Sequence, residues 1–90
     1  MDILEFIEDF RKKNWEYFFL NWGCYIFARI LQVRYWGVIY SNIDHCILRK
    51  GSEYFDIKGL RTHALILDLR YHPIDELEDS RYRAYSNFNN

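Results

Sequence analysis

At 90 residues the chain has room for one domain, 1–90, because a compact core needs on the order of 100 residues. Half of it is hydrophobic and 20% aromatic, with only 4 Gly and 1 Pro, which excludes disorder, collagen-like repeats and turn-rich sandwiches and argues for a dense core. Twelve Lys and Arg against 13 Asp and Glu leave a net charge of −1, so there is no long-range attraction for nucleic acid or an anionic membrane.

The opening segment places Ile3, Leu4, Ile7 and Phe10 on one stripe, opposite Glu5, Glu8, Asp9, Lys12 and Lys13. This 3.6-residue period predicts an amphipathic helix capped by Asp2. It is expected to extend through Trp15 toward Leu20, until Asn21-Trp22-Gly23 interrupts it. From Cys24 a second helix follows, apolar on nearly every side (Tyr25, Ile26, Phe27, Ala28, Ile30, Leu31, Val33) and ending before Gly37.

After Gly37 the period becomes two. Val38-Ile39-Tyr40 reads as a strand, Ser41-Asn42 as a turn and His45 to Arg49 as a second strand. Lys50-Gly51-Ser52 has hairpin chemistry, Glu53 to Lys58 returns, and Gly59 ends the run. His63 to Leu69 is a further strand candidate, although Ala64-Leu65-Ile66-Leu67 could also be a buried helical turn. Pro73 suits the first turn of a short helix carrying Ile74 and Leu77, with Asp75 and Glu76 near its start. Helices followed by an antiparallel sheet make an α+β domain. Tyr82, Tyr85 and Phe88, in a terminus without clear period, read as an exposed contact surface.

No apolar run approaches the roughly 18 residues of a membrane span, and the acidic start Met1-Asp2-Ile3-Leu4-Glu5 lacks the basic region of a signal peptide. The expected location is the cytoplasm, where two cysteines are thiols rather than a disulfide.

Cys24 follows a glycine and opens a buried helix, so the N–H groups of the first turn would favour its thiolate, the nucleophilic form. Such a nucleophile needs a base, and the base needs an orienting group. If Lys50-Gly51 forms the hairpin loop, partners sum to 101, and 45 + 56 = 101 puts His45 directly opposite Asp56 on one face. Alternation then turns Cys46 to the other face, toward the core and away from His45. Taken alone, Cys24 would be a small buried hydrophobe, and His45 could bond its neighbour Asp44. Together with Asp56, an unusual residue for a strand interior, they form a candidate catalytic set. His63 and His72 read as structural or solvated. No ligand pair has metal-site spacing, and no metal or cofactor is expected.

Gly23-Cys24-Tyr25-Ile26-Phe27-Ala28 resembles the segment around the nucleophile of papain-like cysteine hydrolases. The order of Cys on a helix, His on a strand and an acid on the next is similar to papain-like and transglutaminase-like folds. The stretch from Cys24 to Gly59, including Arg34, Gly37, Ile39-Tyr40 and Tyr54-Phe55-Asp56-Ile57-Lys58-Gly59, resembles small papain-like proteins encoded by bacteriophages and mobile elements. The resemblance implies N-terminal helices on a small antiparallel sheet. It implies a cysteine hydrolase of thiol-protease type, or an acyltransferase, with Cys24 as nucleophile, His45 as base and then acid, and Asp56 holding the imidazole. The family places an oxyanion donor a few residues upstream of the nucleophile. The sixth residue before Cys24 is Phe18, which cannot donate, so Asn21 and the Trp22 indole are the candidates. The implied partner is a peptide, amide or thioester substrate. An alternative is a non-enzymatic phage-type inhibitor that uses the same scaffold against a host protein in the host cytoplasm, with a homo-oligomer or a toxin or antitoxin component as further options.

Overall fold

The computed structural model describes residues 1–20, 23–62 and 70–85. The candidate strand from His63 to Leu69 lies outside the described residues. Among those described, four helices and a five-stranded antiparallel sheet form an α+β fold with the helices packed on the sheet.

Helix α1 (Ile3–Lys13) starts at a reciprocal cap in which Asp2 accepts from the Glu5 N–H while the Glu5 side chain accepts from the Asp2 N–H. It ends sooner than expected. Asn14 is extended, and its side-chain amide donates to the Phe10 carbonyl at 2.9 Å, satisfying one of the carbonyls a helix end leaves free. A separate short helix, α2 (Glu16–Leu20), follows, and then α3 (Cys24–Tyr35).

Helix α3 leads directly into the sheet through Trp36 and Gly37, both at positive φ (65° and 132°). The backbone there runs so close to β2 that a Cβ on Gly37 would stand 2.5 Å from the Arg49 carbonyl oxygen. Gly37→Ala therefore combines a disfavoured backbone with a clash against main chain, and is expected to destabilise the fold by about 2–4 kcal/mol. The measurement is the urea unfolding midpoint; an unchanged midpoint would contradict the close approach.

The sheet comprises β1 (Val38–Ser41), β2 (Cys46–Lys50), β3 (Glu53–Asp56), β4 (Gly59–Arg61) and β5 (His72–Pro73), in the spatial order β4-β3-β2-β1-β5. One face carries Ile39, Cys46, Leu48 and Phe55 into the main core, against Tyr25, Phe27, Ala28 and Leu31 of α3 and Ile7 of α1. The other face has a smaller apolar layer of Ile47 and Tyr54 with Tyr40 and Tyr71. Buried on both sides, the start of β2 reads as a continuous apolar run, Cys46-Ile47-Leu48.

Three readings of the sequence are corrected. The β2–β3 hairpin turns on Gly51 and Ser52, with Leu48 opposite Phe55 and Lys50 opposite Glu53. Partners therefore sum to 103 rather than 101, because the positive φ (63°) that the tight turn needs falls on Gly51 as the first loop residue. The returning chain does not stop at Gly59: Asp56 accepts from the Lys58 N–H at 2.8 Å across a turn, and Gly59 begins β4, which pairs back onto β3. Pro73 does not open a helix. It sits in the edge strand β5 opposite Tyr40, where a missing N–H is tolerated. The last helix, α4 (Glu76–Tyr85), begins after Asp75, which forms a second reciprocal cap with Glu78 at 2.8 and 3.2 Å. Leu77 lies on it and is exposed, whereas Ile74 precedes it.

Candidate functional site

Cys24, His45 and Asp56 meet at the end of the sheet where α3 begins, β2 starts and β3 finishes. Cys24 is the first residue of α3, whose N-cap, Gly23, supplies no side-chain acceptor to the first turn. The Gly23 N–H donates to the Phe18 carbonyl at 2.7 Å. A Cβ on Gly23 would lie 2.4 Å from the Phe18 ring, so only glycine lets α2 fold back this tightly before the cysteine. Phe18 thus packs against the glycine that precedes the nucleophile candidate.

His45 is not part of β2. It ends a loop fixed by Asn42, whose side-chain oxygen accepts from the backbone N–H groups of Asp44 (2.9 Å) and His45 (2.8 Å), while the Asn42 N–H donates to the His45 carbonyl at 3.0 Å. An Asx turn of this kind presets the imidazole. The His45 Nε2 lies 3.1 Å from Asp56 Oδ2, with side chains 15% and 5% exposed. Because the ladder sums to 103, the residue formally opposite position 45 is 58, and Asp56 stands diagonal to His45 rather than directly opposite. A slip of two positions preserves the face, and a diagonal neighbour remains within reach of a ring. Arg61 on β4 approaches the same Asp56 oxygen at 3.7 Å, and the Tyr71 ring stands edge-on to the imidazole at 6.4 Å.

With Nε2 engaged by Asp56, Nδ1 is the nitrogen left for the thiol, and the Cys24 and His45 side chains act on each other's ionisation. Cys24 also interacts with Cys46, its neighbour in the core cluster. This corrects the assignment of Cys46 to a core position away from the site. Cys46 is buried in the core, as the alternation requires, but that face is the one on which Cys24 lies. The two thiols act on each other, and the Tyr82 hydroxyl, which donates to the Asn42 carbonyl at 3.4 Å, also acts on Cys46.

The ionisation follows from these contacts. The Cys46 bond holds the Cys24 thiolate, burial opposes it, and the bond to His45 and its charge add to the first effect, so Cys24 falls from 9.0 to about 5. The negative charge settles on Cys24 because it alone combines the imidazolium with the start of a helix. Cys46, donating to that thiolate and buried, is driven strongly upward. Burial pulls His45 down, but the bonds to Asp56 and Cys24 and their charges outweigh it, and the ring is pushed up to about 9. At neutral pH the site is a buried thiolate–imidazolium pair with a carboxylate behind it.

Asn42, Arg61, Tyr71 and Tyr82 were not singled out for the site from the sequence; only the turn signal of Ser41-Asn42 pointed to one of them. Tyr82 is no exposed contact residue: it is half-buried and stacks on Tyr25 at 5.8 Å with rings 8° apart. The oxyanion candidates Asn21 and Trp22 lie outside the described residues, as do His63, Phe88 and the Tyr85 side chain. His72 is held by Glu78 at 2.9 Å, and Glu78 also accepts from the buried Ser41 hydroxyl at 3.2 Å. That cluster ties α4 to β1 and β5. Among the described residues no group of three or more His, Cys, Asp or Glu side chains is placed to hold a metal ion, nor is any helix long and apolar enough to cross a membrane. No protein-family model, curated protein or solved structure matches the chain.

Proposed function

We infer that the chain is a small papain-like cysteine hydrolase or acyltransferase acting on an amide or thioester carbonyl through Cys24, His45 and Asp56. The observation that carries the reading is the buried line from the Cys24 thiol to the His45 ring to the Asp56 carboxylate, 3.1 Å at its second link. In this mechanism the Cys24 thiolate attacks the carbonyl carbon, and the Cys24 backbone N–H at the start of α3 donates to the developing oxyanion. The His45 imidazolium gives its proton to the leaving amine or thiol. The neutral ring then takes a proton from water or an acceptor, which attacks the acyl-Cys24. Asp56 keeps the ring oriented through both steps. Papain-like architecture and cytoplasmic location belong to the same proposal.

Alkylation by iodoacetamide tests it. At pH 6 a thiol titrating at about 5 is almost fully ionised, whereas an ordinary cysteine near 8.5 is ionised to about 0.3%. The lower basicity of the Cys24 thiolate costs roughly 30-fold in intrinsic nucleophilicity, leaving about a tenfold advantage. Cys24 is 4% exposed, which slows every pH alike, so the shape of the profile is the readout. Labelling of Cys24, mapped by peptide mass, is expected to be flat between about pH 6 and 8 in the wild type. In His45→Ala it should climb by up to about tenfold per unit. Reaction only above about pH 8, or an unaltered profile in His45→Ala, would overturn the reading.

The same 4% exposure favours one second reading, a binding protein directed at a host factor, because a covered sulfur is poorly presented to a polymer substrate. There Cys24→Ala keeps partner binding, whereas the enzyme loses all turnover with it.

A further inference from the structure

Cys46 has no part in the acyl-transfer steps, yet it lies in the same core cluster as Cys24, and the two thiols interact side chain to side chain. Both cysteines are reduced and buried, at 4% and 1% exposure, and both belong to one core cluster. They start two different elements, α3 and β2, packed against each other. Cys24 is covered too well for a bulky oxidant, but hydrogen peroxide is little larger than water. A thiolate beside a second thiol is the arrangement in which the first cysteine is oxidised and the second resolves it.

We propose that the Cys24–Cys46 contact is a peroxide-sensitive site, in which a small hydroperoxide closes a reversible disulfide between the two cysteines and takes Cys24 out of action. It rests on the reading of Cys24 as a His45-paired thiolate. In the first step the Cys24 sulfur attacks one peroxide oxygen, the O–O bond breaks, and Cys24 becomes a sulfenic acid. The hydroxide released takes a proton from the His45 imidazolium and leaves as water. In the second step the Cys46 sulfur attacks the sulfenic sulfur, the S–O bond breaks, and the second oxygen leaves as water after collecting the Cys46 proton. Two thiol sulfurs lose two electrons in all, and one peroxide becomes two waters.

The order of events is set by charge. While Cys24 is a thiolate, Cys46 is held protonated as its donor. Once Cys24 is oxidised that negative charge is gone, the hold on the Cys46 proton is released, and Cys46 becomes a competent nucleophile. The neighbouring Tyr82 hydroxyl lowers the Cys46 pKa and favours the same ionisation.

The test is an excess of hydrogen peroxide on the reduced chain, enough to carry an unresolved sulfenic acid on to sulfinic acid, followed by intact mass, non-reducing tryptic mapping and iodoacetamide labelling. Trypsin places Cys24 in the peptide 14–29 and Cys46 in 35–49. The expected result is a loss of two hydrogens, a disulfide joining those two peptides, and a fall of about tenfold or more in Cys24 labelling that dithiothreitol restores. In Cys46→Ser, and in Cys46→Ala as a check on folding, peroxide should instead add oxygen to Cys24, and labelling should not return with dithiothreitol because sulfinic acid is irreversible. Oxygen addition to wild-type Cys24 with Cys46 still free, or equal recovery in the Cys46 variants, overturns the proposal. The two readings fail separately: a flat alkylation profile without the disulfide removes only this one, and the disulfide without a flat profile removes only the catalytic one.

Discussion

Acyl transfer by this chain is expected to follow a bell-shaped pH dependence, rising through about pH 5 and falling through about pH 9. The first limb is the loss of the Cys24 proton, which creates the nucleophile. The second is the loss of the His45 proton, after which nothing can protonate the leaving group. Because each group is held by the other, the two limbs belong to the pair rather than to either residue. Folding stability follows the same window. Cys24 is depressed, so its contribution is lost as pH falls through about 5; His45 is raised, so its contribution is lost as pH rises through about 9. Hydrolysis of an activated thioester measured from about pH 4 to 10 reads both limbs, which span the ordinary cysteine range. His45→Ala should remove the bell together with roughly 10³–10⁴ of the rate, leaving a single rise at a higher pH than the first limb of the wild type. If the wild type already shows only that single rise, Cys24 is an ordinary thiol.

What the sequence disclosed, and what it did not, divides along the range of the interactions. The Asp2 cap, the amphipathic face through Ile7 and Phe10 and the buried helix from Cys24 are local signals, and α1 and α3 stand where they point. The side-chain face shared by His45 and Asp56 was legible although the register was not, because moving the hairpin loop from Lys50-Gly51 to Gly51-Ser52 shifts pairing by two and leaves every side chain on its own face. Cys46 was misplaced for a different reason. Alternation located it correctly relative to the sheet, but where the sulfur of α3 would come down on that sheet is a tertiary fact. His45, held by Asn42 in a loop outside the strand, reaches the same sulfur without obeying the alternation at all. Pro73 drew the predicted start of the last helix too early, because its pairing with Tyr40 in β5 and the Asp75–Glu78 cap that follows are both set by the folded chain.

Asp56→Ala is expected to cost about 3–5 kcal/mol of folding stability at pH 7, far more than Asp56→Asn. The carboxylate is 4% exposed and performs two tasks at once: Oδ2 bonds the His45 ring and faces Arg61, and Oδ1 accepts from the Lys58 N–H in the turn that starts β4. Alanine removes both, leaving an imidazolium buried beside Arg61 with only the Cys24 thiolate to balance it. Asparagine keeps a side-chain oxygen for the turn and loses mainly the charge. The two tasks separate with pH. Above about 9 His45 is neutral and no longer needs the anion, so the deficit of Asp56→Ala should shrink toward the roughly 1 kcal/mol of one lost turn hydrogen bond. Urea unfolding of the wild type and both variants at about pH 7 and about pH 10, on either side of the His45 ionisation, measures this directly. A deficit equal at both pH values would mean that Asp56 serves only the turn, and that the imidazole is not charged in the native protein.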